Sequence, residues 1–285
     1  MGSSIFAWIT SILFGVEAIT GKLTSRHSVK NPWLFNFFWA FFILLFTIPF
    51  AIWGGADVPK QWGNIIIASV FYAAASTFYI LALYKLDVSI IGSLFNFRTV
   101  VTVILGALFL GEILSIQQYV LIGIIFIFGI LITVDEKFSI KSFFKWGVFI
   151  ALLGVSSSAL MAMFIKRAVA EAGYWDTTLW MAVLGQIWLL PTILLFKKDI
   201  AQSMPKQYLI IAATAVAGVF GTLAMNKAYS INVSISSAII SLPFSLVMAI
   251  LFSVFAPQLL EKHTFKVYAV RVVSAAVMIV AALNL

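Results

Sequence analysis

The 285 residues are 63% hydrophobic and only 10% charged, with a mean hydropathy of +1.10, so charges are too few to cover a water-facing globule, which carries about 25%. Without cysteine, and with His27 and His263 far apart, no disulfide, no metal site and no cofactor is expected. The net charge of +8 comes from basic residues scattered between apolar runs, which membrane orientation explains better than nucleic-acid binding.

Each apolar run is about long enough to cross a bilayer, and none alternates as a barrel strand must, so the runs read as α-helices. Ten spans are predicted, over residues 4–22, 32–53, 62–84, 88–110, 116–134, 143–165, 175–196, 208–229, 233–255 and 264–284. Trp33, Trp53, Trp62, Trp146 and Trp175 fall at their ends, where indoles favour the headgroup region. Residues 1–4 hold no basic stretch, so the first span is expected to be retained rather than cleaved. The expectation is an all-α, multi-pass integral membrane protein of a bacterial or archaeal cytoplasmic membrane.

Span one places Glu17 among apolar residues. A carboxylate there is costly and by default functional, here for taking up and releasing a proton; its plainer role is to pair with Lys22 or Arg98. Trp39 in span two and Trp180 in span seven lie away from the ends, set either to stack on a solute or to face lipid. Span three offers Tyr79, and span four Ser93, Asn96 and Arg98. Arg98 must face the bundle interior, where its planar fork suits a carboxylate or phosphate, or else an ion pair with Glu17.

Gly111-Glu112 closes span four in a tight turn, with Glu112, like Glu261 later, read as a cap for the helix that follows. Ser157 on span six, Asn226 on span eight and Ser241 on span nine either touch solute or let helices pack closely. Pro243 frees a backbone carbonyl in span nine and is a candidate hinge or gate. Arg271, near the start of span ten, is expected to snorkel to the interface.

The halves repeat each other. Tyr84, Asp87 and Val88-Ser89-Ile90 match Tyr229, Asn232 and Val233-Ser234-Ile235; Glu112 and Tyr119 match Glu261 and Tyr268; Gly15-Val16 matches Gly154-Val155. Two five-helix repeats are expected, residues 1–138 and 139–285. An odd number of spans inserts the second upside down, giving an inverted repeat with its solute site between the halves. With Arg98 and Arg271 set aside as intramembrane, only Lys60, Lys166, Arg167 and Lys227 count toward even-numbered loops and the other basic residues, Lys22 among them, toward odd-numbered ones, a bias that places both termini away from the cytoplasm.

Residues 84–133 resemble the EamA-type repeat of the drug/metabolite transporter superfamily, through Tyr84 five residues before Ser89, Leu110-Gly111-Glu112, and Gly123 and Gly129. The resemblance implies a ten-helix secondary transporter without ATP hydrolysis, commonly an exporter of amino acids, metabolites or toxic compounds. It also implies cytoplasmic termini, against the loop charges. Val16-Glu17-Ala18-Ile19 is similar to the first helix of the small multidrug resistance proteins, which implies a carboxylate that binds both proton and cationic substrate. The chain departs from the pattern at Leu260-Glu261, where Gly-Glu is usual, and at Arg98-Thr99, where span four commonly holds proline.

Together these readings predict a secondary transporter, not an enzyme, that moves a small organic solute such as an amino acid or related metabolite by alternating access. Its partners are the lipid bilayer and a proton or counter-solute, and it acts as a monomer or homodimer. The alternatives are an uncoupled channel or scramblase, or an intramembrane enzyme, although no nucleophile, base or metal cluster marks one.

Overall fold

The computed structural model describes residues 2–110, 115–133, 140–242, 244–255 and 263–284. Helices α1 (Gly2–His27), α2 (Pro32–Trp53) and α3 (Gly63–Lys85) precede a span in two pieces, α4 (Val88–Leu94) and α5 (Phe97–Leu110), and then α6 (Ile116–Ile132). After a 3-10 turn, Ile140–Phe144, come α7 (Trp146–Ala172), α8 (Tyr174–Leu189), a short α9 (Lys197–Gln202) and α10 (Pro205–Ile231). A second divided span, α11 (Val233–Ile240) and α12 (Phe244–Phe255), leads to α13 (Phe265–Leu283). Glu112, Glu261 and Pro243 lie outside the described residues.

Local chemistry sets many boundaries. Pro32 and Pro205 stand in the first turns of α2 and α10, where a missing N–H costs nothing. Asn31 caps α2, its Oδ1 accepting from the Trp33 N–H at 2.9 Å. Ser115 and Gln118 form a capping box at the start of α6, so two neutral side chains satisfy that helix start. α8 stops at Leu189 and tightens into 3-10 geometry, because Pro191 has no N–H and its ring crowds the preceding turn. Asn31→Ala is expected to cost about 1 kcal/mol, read as a lowered thermal midpoint of the detergent-solubilised protein.

Two expectations need correction. Residues 88–110 are not one helix: α4 ends and α5 begins around Phe95-Asn96. The Asn96 N–H (3.2 Å) and its Nδ2 (3.0 Å) both donate to the Ser93 carbonyl, and the Arg98 N–H donates to the Phe95 carbonyl at 2.9 Å. The amide side chain thus competes for the helical acceptor and tightens the turn without any proline. Lys22, read as a loop lysine, is buried instead, because α1 continues to His27 and carries it inside.

The helix packing obeys a pseudo-twofold exchange. α3 packs on α7 as α10 packs on α1; α8 meets α3 as α2 meets α10; α12 meets α4 as α5 meets α11. The pairs α2–α8 and α6–α13 lie on the axis, since each contains both partners of the exchange. Loop contacts fix the relative direction of the halves. Asn31 Nδ2 donates to Asp199 Oδ2 (2.8 Å) and Gln207 Nε2 to the Ser28 carbonyl (2.6 Å), joining the α1–α2 connection to that between α8 and α10. The Asp57 N–H donates to Asp176 Oδ1 (2.8 Å) and Asn64 Nδ2 to Glu171 Oε1 (2.7 Å), joining the α2–α3 connection to the region of α7 and α8. The first connection of each half therefore lies with the second of the other, and the two five-span bundles run in opposite directions.

Candidate functional site

A cavity of about 130 Å³ lies where the halves meet, between α1, α3, α7 and α10 and against both divided spans. Half-helices with freed backbone groups are tolerated in a membrane where they line such a space. Glu17, Trp39, Tyr79 and Arg98, four of the residues singled out above, share its wall. Tyr72, which the sequence reading missed, lines it too, with Ser11 and Ser76 also from the first half. The second half presents a mainly apolar wall, with Met161, Met225, Ile240, Leu242 and Phe244, softened by Ser158, Thr222 and Ser245. Two halves of one shape thus give the cavity two chemistries.

Glu17 is 5% exposed and accepts from Trp39 Nε1 at 2.5 Å. α10 passes close beside the carboxylate because residue 218 is glycine: a Cβ there would collide with Glu17 Oε1. Gly218→Ala is accordingly expected to displace the carboxylate and lower transport several-fold at unchanged expression, measured by solute flux into proteoliposomes. Arg98 is 2% exposed, its Nη1 donating to the Tyr229 hydroxyl at 2.6 Å and its guanidinium lying 5.1 Å from the Phe95 ring centre. Among the described residues, no ion pair joins Glu17 to Arg98. Lys22 Nζ donates to the carbonyls of Leu83 (2.8 Å) and Leu86 (2.7 Å) at the end of α3.

The remaining candidates sit around the cavity rather than on its wall. Ser93 and Ser241 donate back to the carbonyls of Ser89 (2.8 Å) and Ser237 (2.6 Å) within their own helices, and Asn96 holds the turn between α4 and α5. Asn226 Nδ2 reaches Thr178 Oγ1 at 3.2 Å, tying α10 to α8. Ser157 is buried beside Ser158, and Ser158 faces the space. Trp180 lies at one end of the bundle, donating to the Asp57 carbonyl at 2.8 Å and meeting Trp62 edge-on. Arg271, expected at the interface, is instead 1% exposed and points inward. Of the groups missed, Tyr229 carried a usable signal, since it is the repeat partner of Tyr84; nothing in the sequence distinguished Tyr72 or Gly218 from ordinary packing residues.

A model of EamA-like transporters matches residues 1–134 and matches again over residues 145–283. The chain belongs to the EamA-like transporter family. It is a multi-pass membrane protein of a transporter family, not of an enzyme family, within the drug/metabolite transporter superfamily. One solved crystal structure, whose description names no activity, superposes with a TM-score of 0.65 at 12% sequence identity over 98% of this chain and 96% of the other. At that identity the likeness concerns the fold alone. No curated protein matches the chain.

Proposed function

We propose that this chain is a secondary transporter that carries a small organic solute, such as an amino acid or related metabolite, by alternating access between two repeats, residues 1–138 and 139–285. Arg98 anchors the anionic part of the solute, and Glu17 takes up and releases the coupled proton. Trp39, Tyr72 and Tyr79 complete the polar wall, while the methionine and phenylalanine wall receives the apolar part. The reading assigns an exporter or exchanger in a bacterial or archaeal cytoplasmic membrane, as a monomer or homodimer.

One observation carries this reading. Two opposite ionisable groups, both buried, line one cavity, and each is held by a neutral aromatic partner, Trp39 or Tyr229, rather than by the other. A structural ion pair would have consumed both charges; here each remains available to something that enters. The test is flux of amino acids, nucleosides, sugars and organic cations in proteoliposomes, with and without a pH gradient. Saturable transport of one class, accelerated by the gradient, is expected. Flux that never saturates and ignores both gradient and internal solute identifies a channel or scramblase and overturns the proposal.

A further inference from the structure

Two connections that the repeat makes equivalent are held in different ways. The α3–α4 connection is gripped by basic side chains from distant parts of the chain. Lys22 of α1 binds the Leu83 and Leu86 carbonyls. Arg271 of α13 donates through Nη2 to Asp87 Oδ2 at 3.0 Å and through Nη1 to Ser89 Oγ at 2.7 Å. His263 Nε2 lies 2.7 Å from the same Asp87 oxygen. At the α10–α11 connection Asn232 stands in place of Asp87, and its side chain accepts from the Ile235 N–H at 2.9 Å, capping its own helix. Ser236 Oγ turns back to the Ala228 carbonyl at 3.1 Å. The repeat partners of Arg271 and Lys22, at the spacings of Tyr119 to Tyr268 and of Gly15 to Gly154, are Ile122 and Met161.

We propose that Asp87, Ser89, His263 and Arg271 form a one-sided lock that keeps the Asp87 end of the solute path closed and has no counterpart among the described residues at the other end. Such a lock presupposes the alternating access proposed above. Exchange between inward- and outward-facing states swaps the packing of the two repeats. In the swapped state α10–α11 takes the present arrangement of α3–α4, but Asn232 and Ile122 offer no charges to rebuild the cluster. The two states therefore differ by the whole ionic interaction, and only a difference of that kind shifts such an equilibrium. Opening the Asp87 end separates Arg271 from its carboxylate, whereas among the described residues no ion pair of this kind holds the Asn232 end. Burial by itself pushes the Asp87 carboxyl up, but the His263 hydrogen bond and the Arg271 charge outweigh it and hold the group below the usual carboxylate range. A depressed carboxyl contributes above its unfolded value and is lost as pH falls through the lowered one, so the lock is charged at physiological pH.

The absence of cysteine makes the test direct. Single cysteines replace Ile91, near the Asp87 end of the cavity wall, or Thr222, toward the Asn232 end, and a membrane-impermeant maleimide is applied from each side of oriented proteoliposomes. In Asp87→Asn the ratio of Ile91-site to Thr222-site labelling is expected to rise about tenfold over the parent, and in His263→Gln by a smaller factor in the same direction. His263→Gln lies outside the spans and carries the test alone if losing the Asp87 carboxylate keeps Asp87→Asn from folding. A ratio within about twofold of the parent in every variant that elutes as a folded species overturns the lock. If the parent itself labels equally from both sides at once, alternating access fails first; if the parent labels by turns and the variants match it, only the lock fails.

Discussion

Arg98→Ala is expected to weaken solute binding by about ten- to hundredfold, the factor that corresponds to losing a charge-assisted hydrogen bond of roughly 1.5–3 kcal/mol. The residue sits just past the interruption of its span, and its guanidinium is held by the Tyr229 hydroxyl beside the Phe95 ring. Arg98→Lys keeps the charge but loses the planar fork, and an intermediate affinity is expected. Tyr229→Phe tests the same contact from the other side. Its hydroxyl takes one guanidinium N–H at 2.6 Å, so removing it frees that donor and is expected to raise affinity for an anionic solute. Affinity falling in Arg98→Ala and rising in Tyr229→Phe separates anchoring from stability, because a structural role would make both changes harmful. Equilibrium binding by scintillation proximity in detergent reads all three variants. Unchanged affinity in Arg98→Ala removes the anchor from the proposal.

Much of the architecture was legible because it follows from solvent and length. An apolar run of about twenty residues has one stable form in lipid, and an odd number of such runs forces the second copy to invert. Glu17, Trp39, Tyr79 and Arg98 were legible for a related reason: charge and large amphipathic groups deep in an apolar run need a wet or polar surrounding, and the cavity is that surrounding. The division of the fourth span was not legible. Its cause is a single asparagine that bonds backward, and asparagine inside an apolar run reads equally well as a solute contact. Arg271 was misread because snorkelling was judged from depth alone; its partners, Asp87 and Ser89, come from the other repeat and are remote in sequence. Serines gave the weakest signal. The hydroxyls of Ser93 and Ser241 satisfy carbonyls one turn back, and a sequence cannot distinguish that from a hydroxyl aimed at cargo.

Glu17→Gln is expected to remove the dependence of transport on a pH gradient while leaving solute exchange in place. Glutamine keeps the shape of the carboxyl and keeps an oxygen to accept from Trp39 Nε1, so the packing against Gly218 survives. What it cannot do is change protonation state. If Glu17 is the coupling group, each cycle must load and unload a proton there, and a residue fixed as neutral uncouples the cycle without blocking the carrier. Exchange of labelled for unlabelled solute should persist, whereas accumulation driven by an imposed gradient should fall to the level seen without one. A structural carboxylate predicts the reverse pattern, with gradient-driven accumulation retained and a lower thermal midpoint as the main effect. The repeat partner region supplies an internal control. Ser156 occupies the matching place in α7, so Ser156→Ala changes a hydroxyl on the other half and should leave the gradient response intact. Gradient dependence persisting in Glu17→Gln would move the proton site elsewhere, even if the cavity still binds solute through Arg98.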